Sequence, residues 1–152
     1  MITIRKALKE EILLLSDIYK DVFIFEDAAD SEEYIVALDG KIPFGFSKIK
    51  FYDGDLAEIS AIYVSPQERG NRFGDGILRA TLNYIEKQGY FWAVIQDTEN
   101  KDLFEFLKKE GLQLLKQLDT PQNIQEHLLK YNVENTFFCD IPLFFNQGCK
   151  SK

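Results

Sequence analysis

The stretch from Ala57 to Leu78, Ala-Glu-Ile-Ser-Ala-Ile-Tyr-Val-Ser-Pro-Gln-Glu-Arg-Gly-Asn-Arg-Phe-Gly-Asp-Gly-Ile-Leu, sets a strand-like run against a turn and a helical pattern. Pro66 has no N–H to give to a sheet ladder, so the strand ends near Ser65. Gly70, Gly74 and Gly76 leave the backbone of the turn uncovered. The helix that follows places Ile77, Leu78, Thr81, Leu82 and Ile85 on one stripe, and Gly89 stops it. The first amides of a helix have no partners within it, and the helix dipole puts partial positive charge there. The turn therefore has the makings of a phosphate site.

Phe91 to Ile95 is a continuous apolar run, which suits a strand buried on both faces. A helix follows, with Asp97 or Thr98 as its cap, Leu103, Phe104, Phe106 and Leu107 as packing residues and Gly111 as its end. Strand, turn, helix, strand, helix is a βαβα unit with parallel strands. Upstream, Ile2 and Ile4 alternate as a first strand, and Leu8 to Tyr19 has helical spacing. Tyr34 to Leu38 and Ile42 to Phe51 form a hairpin about Asp39-Gly40, and a second turn at Asp53-Gly54 leads into Leu56 to Val64. Downstream, Leu112 to Leu118 reads as a strand, Thr120-Pro121 to Tyr131 as a short helix and Thr136 to Phe145 as a last, aromatic strand. The acidic stretch Phe23 to Glu33 is either a solvated helix and loop or part of a site for a cationic acceptor.

A chain of 152 residues, 45% hydrophobic, can bury one sizeable core, so a single domain over 1–152 is expected. The net charge of −7 and the lack of a basic stripe argue against a nucleic-acid partner. With no apolar leader and no run near the ~20 apolar residues that cross a bilayer, no membrane partner is expected, and a cytoplasmic location is. Cys139 and Cys149 have no metal-ligand spacing and are read as free thiols. His127 is the only histidine, so no metal site is expected, and it is read as a surface residue.

The run Arg69-Gly70-Asn71-Arg72-Phe73-Gly74 resembles the cofactor-binding motif of the GNAT N-acetyltransferase superfamily, Gln/Arg-x-x-Gly-x-Gly/Ala between a central strand and its helix. Arg72 stands where that family prefers glycine. Val36 to Gly40 followed by Gly45-Phe46 resembles the family's second and third strands, and Asn100, Leu103 and Gly111-Leu112 fit its second signature. The resemblance implies the GNAT fold, an α+β domain with a mixed sheet of about seven strands and about four helices. It also implies acetyl-CoA as co-substrate, an amine acceptor and no metal. The cofactor would be held at Ile62, Tyr63 and Val64, at Arg69, Gly70, Asn71, Arg72, Phe73, Gly74, Asp75 and Gly76, and at Asn100 and Phe104. Asn100 also reads as a plain helix cap.

Acyl transfer needs the nitrogen lone pair, and an alkyl ammonium with pKa ~10.4 holds it as an N–H at neutral pH. Glu58, on the strand entering the turn, matches in offset the glutamate that serves as base in the histone-acetylating branch; its other reading is a solvent-facing strand residue. Leu107 takes the place of the family's tyrosine acid. A thiol of pKa ~8.5 leaves with little help. Tyr63, Tyr84, Tyr90 and Tyr131 are the candidate substitutes. Two functions follow: an N-acetyltransferase, or a CoA-binding module of the same fold without chemistry. The aromatics Phe137, Phe138, Phe144 and Phe145 are read as core or as a homodimer surface.

Overall fold

The structure, a computed structural model, describes residues 1–21, 32–53, 55–96 and 98–150, with side chains described as far as residue 146. The strands are β1 (Ile2–Lys6), β2 (Glu32–Asp39), β3 (Ile42–Phe51), β4 (Leu56–Val64), β5 (Trp92–Ile95), β6 (Gln113–Leu114) and β7 (Phe137–Asp140). The helices are α1 (Lys9–Tyr19), α2 (Phe73–Lys87), α3 (Lys101–Lys109), α4 (Gln125–Leu128) and α5 (Ile141–Lys150). The strands form one seven-stranded mixed sheet in the order β1-β2-β3-β4-β5-β7-β6. The chain divides into two compact units, Met1–Lys50 with Ala61–Thr81, and Phe51–Ser60 with Leu82–Lys152.

In the first unit β1, β2 and β3 are antiparallel neighbours, and Gly40 at φ +62° makes the turn foreseen at Asp39-Gly40. The last residues of β4 alternate between two clusters. Ala61 and Tyr63 pack with Leu15 and Tyr19 of α1, while Ile62 and Val64 pack with Phe44, Phe73 and Ile77. Gly45 on β3 allows the closest approach: a Cβ there would lie 2.7 Å from the Tyr63 carbonyl oxygen and 2.8 Å from Ile77 Cδ1.

In the second unit the first half of β4 pairs in parallel with β5, from Leu56↔Trp92 to Ile59↔Ile95, and β5 and β6 each pair antiparallel with β7. The βαβα reading therefore holds. α2 ends at Gly89, φ +92°, with Tyr90 N–H on the Ile85 carbonyl, and α3 ends in the same way at Gly111. Leu56, Val94, Leu115, Ile124, Leu128, Tyr131 and Phe138 form the buried cluster of this unit.

Three expectations change. The strand placed at Leu112 to Leu118 is two residues long, because the Gln117 side chain accepts the Leu114 N–H and winds Leu115–Gln117 into a 3₁₀ turn. The helix placed at Thr120 to Tyr131 is a 3₁₀ turn, Gln122–Ile124, followed by the single turn of α4. The strand placed at Thr136 to Phe145 stops at Asp140, whose carboxylate accepts the Leu143 N–H and so caps α5; Pro142 fits in the first turn, where its missing N–H is no loss. Phe137, Phe138 and Phe144 are buried within the chain.

Other expectations fall on residues outside those described: most of Phe23 to Glu33, Asp97, Gly54 and the Cys149 side chain. Cys139 is a buried free thiol, pushed up to about 12 by burial and, second, by Asp140, so it stays protonated and unreactive. His127 is half-buried rather than exposed, stacked on Tyr52 with ring centroids 5.2 Å apart. Among the described residues no acidic, cysteine and histidine group could hold a metal, and no helix is long and apolar enough to cross a membrane.

Candidate active site

The turn after β4 belongs to the first unit and is fixed from both sides. Ser65 N–H donates to the Phe44 carbonyl at 2.7 Å, and Pro66–Glu68 forms a 3₁₀ turn. The Arg69 side chain folds back on the strand end, its Nε donating to the Val64 carbonyl at 2.9 Å and its guanidinium 5.4 Å from the centre of the Tyr63 ring. Gly70 and Arg72 then take positive φ, +88° and +64°. The helical ladder of α2 starts with Gly76 N–H on the Arg72 carbonyl at 3.2 Å, so the amides of Phe73, Gly74 and Asp75 precede the first helical bond. This is the arrangement that suits an anion.

Two predicted residues have explanations of their own. Gly76 uses its amide in the helix, and a Cβ there would lie 3.0 Å from Ile4 Cδ1. The Asp75 carboxylate pairs with Arg79 Nε at 3.0 Å, one turn on.

Arg72 at φ +64° also shows why glycine is preferred at this position: an L-residue in the left-handed region is strained by about 1–2 kcal/mol. Glycine relieves that strain but gives back part of it through greater freedom in the unfolded chain. Arg72→Gly is expected to raise stability by about 0.5–1 kcal/mol, read as a higher midpoint in urea denaturation.

Glu58 belongs to the second unit and is only 5% exposed, so it is not the solvent-facing strand residue of the alternative reading. Its Oε1 accepts hydrogen bonds from the Tyr131 hydroxyl and, at 3.1 Å, from the Tyr52 hydroxyl. Lys130 Nζ donates to the Tyr52 hydroxyl at 2.5 Å and lies 4.2 Å from that ring's centre. Burial, then the bond to Glu58 and its charge, push the Tyr131 hydroxyl far above the usual phenol range, so it acts as a fixed donor. A buried carboxylate with two hydroxyl donors is well oriented and still has one oxygen to offer.

Of the four candidate substitute tyrosines, Tyr131 is the one brought to Glu58. Tyr63 instead packs edge-on against Tyr19 at 5.2 Å, and Tyr90 lies against Phe51 at 4.6 Å. Tyr52 and Lys130 were not foreseen. A usable signal for Tyr52 was its place just before the strand from Leu56 to Val64: its N–H donates to the Leu56 carbonyl at 2.8 Å. Nothing local marks Lys130, which meets Tyr52 only through the tertiary fold.

On α3 the Asn100 side chain is the helix cap, accepting from the amides of Asp102 at 2.9 Å and Leu103 at 3.2 Å. Phe104 is packed edge-on against Phe137 at 5.0 Å, and Leu107 is fully buried. β4 carries both candidate features: Glu58 stands in its first half, where pairing with β5 ends at Ile59, and the strand runs on to Val64 and the turn.

Comparison with known proteins agrees with this architecture. No curated protein matches the sequence. Among solved structures, Tetrahymena GCN5 superposes with a TM-score of 0.69 at 16% identity, over 91% of this chain and 96% of its own. A putative acetyltransferase of the GNAT family from Desulfovibrio desulfuricans gives 0.67 at 10%, over 93% and 99%. The PaiA N-acetyltransferase of Thermoplasma acidophilum, solved in complex with coenzyme A, gives 0.60 at 16%, over 91% and 96%. At these identities the likeness speaks for the fold. The sequence model of the acetyltransferase (GNAT) family matches residues 4–112, a span that runs from β1 through the glycine turn to the end of α3, and the chain belongs to that family.

Proposed function

We propose that the protein is an acetyl-CoA-dependent N-acetyltransferase that passes the acetyl group directly to an amine, with no covalent intermediate on the enzyme. The observation that carries this reading is Glu58: a buried carboxylate held by two tyrosine hydroxyls, on the strand that runs into the glycine turn. In this reading the amides from Gly70 to Asp75 hold the diphosphate, with Arg72 adding charge through an exposed side chain. Glu58 takes a proton from the amine nitrogen as its lone pair attacks the thioester carbonyl. The C–N bond forms, the C–S bond breaks and coenzyme A leaves as a thiolate.

One observation favours the second reading, a CoA-binding module without chemistry: Leu107, in the place of the family's tyrosine, is fully buried and cannot give a proton. Two measurements separate the readings. Coenzyme A at about 100 times its dissociation constant should stabilise the fold by about 2.7 kcal/mol, a Tm rise of about 5–10 °C for a domain of this size. A panel of amines with acetyl-CoA should release free thiol. A Tm rise without thiol release selects the binding module, and absence of both rejects the cofactor assignment.

A further inference from the structure

In a chain of net charge −7, the Lys130 ammonium has no carboxylate within ion-pair distance among the described residues. It lies against two aromatic rings instead, 4.2 Å from the centre of Tyr52 and 5.2 Å from that of Tyr131. One of its N–H groups donates to the Tyr52 hydroxyl at 2.5 Å, and that hydroxyl donates to Glu58 Oε1 at 3.1 Å. The Tyr131 hydroxyl donates to the same carboxylate oxygen. The negative faces of two rings, with a buried carboxylate one hydroxyl away, are surroundings that favour a cation.

The walls of this site are fixed and its occupant is not. Glu58 and Tyr131 are buried, and Tyr52 is half-buried and stacked on His127 with ring centroids 5.2 Å apart. Lys130 alone of the four is exposed, on an unbranched stem in the turn after α4. A long surface side chain gives up rotamer freedom to stay in one place, so it holds such a site weakly. A second alkylammonium entering as Lys130 swings out would meet the same rings and the same hydroxyl.

We propose that Tyr52, Tyr131 and Glu58 form a binding site for a primary alkylammonium group, the acceptor's, which Lys130 fills with its own side chain until the acceptor displaces it. That the ligand is the acceptor rests on the acetyltransferase reading. At neutral pH an aliphatic amine of pKa ~10.4 arrives as the cation, and here its N–H falls on Tyr52, one hydroxyl from the base.

The test titrates n-butylammonium, which has the length of the lysine stem, into the cofactor-free protein near neutral pH. The tyrosine ring resonances report binding, and n-butanol serves as the uncharged control. Lys130→Met, which keeps the stem and loses the charge, should bind n-butylammonium at least about tenfold more tightly than wild type, with shifts in the Tyr52 and Tyr131 rings. Lys109→Met, which removes an exposed charge from α3, should change the affinity less than about twofold. Equal affinity in wild type and Lys130→Met, an equal gain in Lys109→Met, or equal binding of n-butanol overturns the site and leaves the acetyltransferase reading in place. Binding as expected, with no amine releasing thiol from acetyl-CoA, keeps the ammonium site and overturns its assignment to an acceptor.

Discussion

Glu58→Gln is expected to lower kcat/KM for acetyl transfer by about 10²–10⁴-fold, the range over which a positioned general base acts. Glutamine keeps the shape of the side chain and a carbonyl oxygen for the Tyr131 and Tyr52 hydroxyls, so the buried site stays filled. What it loses is the capacity to take a proton. The rise in Tm on adding coenzyme A should be the same in the variant as in wild type, since the diphosphate is assigned to the turn and not to the carboxylate. Thiol release in a coupled colour assay measures the first quantity, and a thermal scan the second. A loss of less than threefold in kcat/KM with unchanged Tm shifts would show that Glu58 is only a structural acceptor for the two tyrosines.

Gly45→Ala is expected to cost about 2–3 kcal/mol, a drop in Tm of about 5–10 °C. The new Cβ would lie 2.7 Å from a backbone oxygen, Tyr63 O, which cannot turn aside as a side chain can. The second contact, 2.8 Å to Ile77 Cδ1, falls on the first turns of α2, among the residues that seat the helix against β4. Relief therefore requires β3 and β4 to move apart at the base of the turn. Coenzyme A affinity should fall along with stability, which a titration followed by calorimetry would register. A variant with wild-type Tm would mean that the backbone at Tyr63 yields to the new methyl group without cost.

The parts of the fold that were legible in the sequence are those governed by local rules. Pro66 ended β4, Gly89 and Gly111 ended α2 and α3, and Asp39-Gly40 joined β2 to β3, because each of these residues acts on its own stretch of backbone. The segment from Thr136 to Phe145 reads as one strand because its aromatic run has strong strand character, whereas Asp140 and Pro142 together begin a helix. Gln117 ended β6 through a side-chain bond that a reading by hydrophobic pattern passes over.

The candidate site divides in the same way. Glu58 and the glycine turn could be found from offset and motif. The hydroxyls that hold Glu58 come from six residues upstream and seventy-three downstream, and only tertiary packing brings Tyr131 to it. Asn100 and Phe104 show the converse. Both occupy the expected positions, yet the side chain of one caps its own helix and that of the other lies against Phe137.

The back-folded Arg69 has a consequence for recognition. Tied to the Val64 carbonyl and laid over Tyr63, its side chain braces the start of the turn against the strand end, so under the proposed function the loop is set before a nucleotide arrives. A receptor made rigid in advance gives up little entropy on closing round its guest, and the affinity it reaches is shown chiefly in how slowly the guest departs.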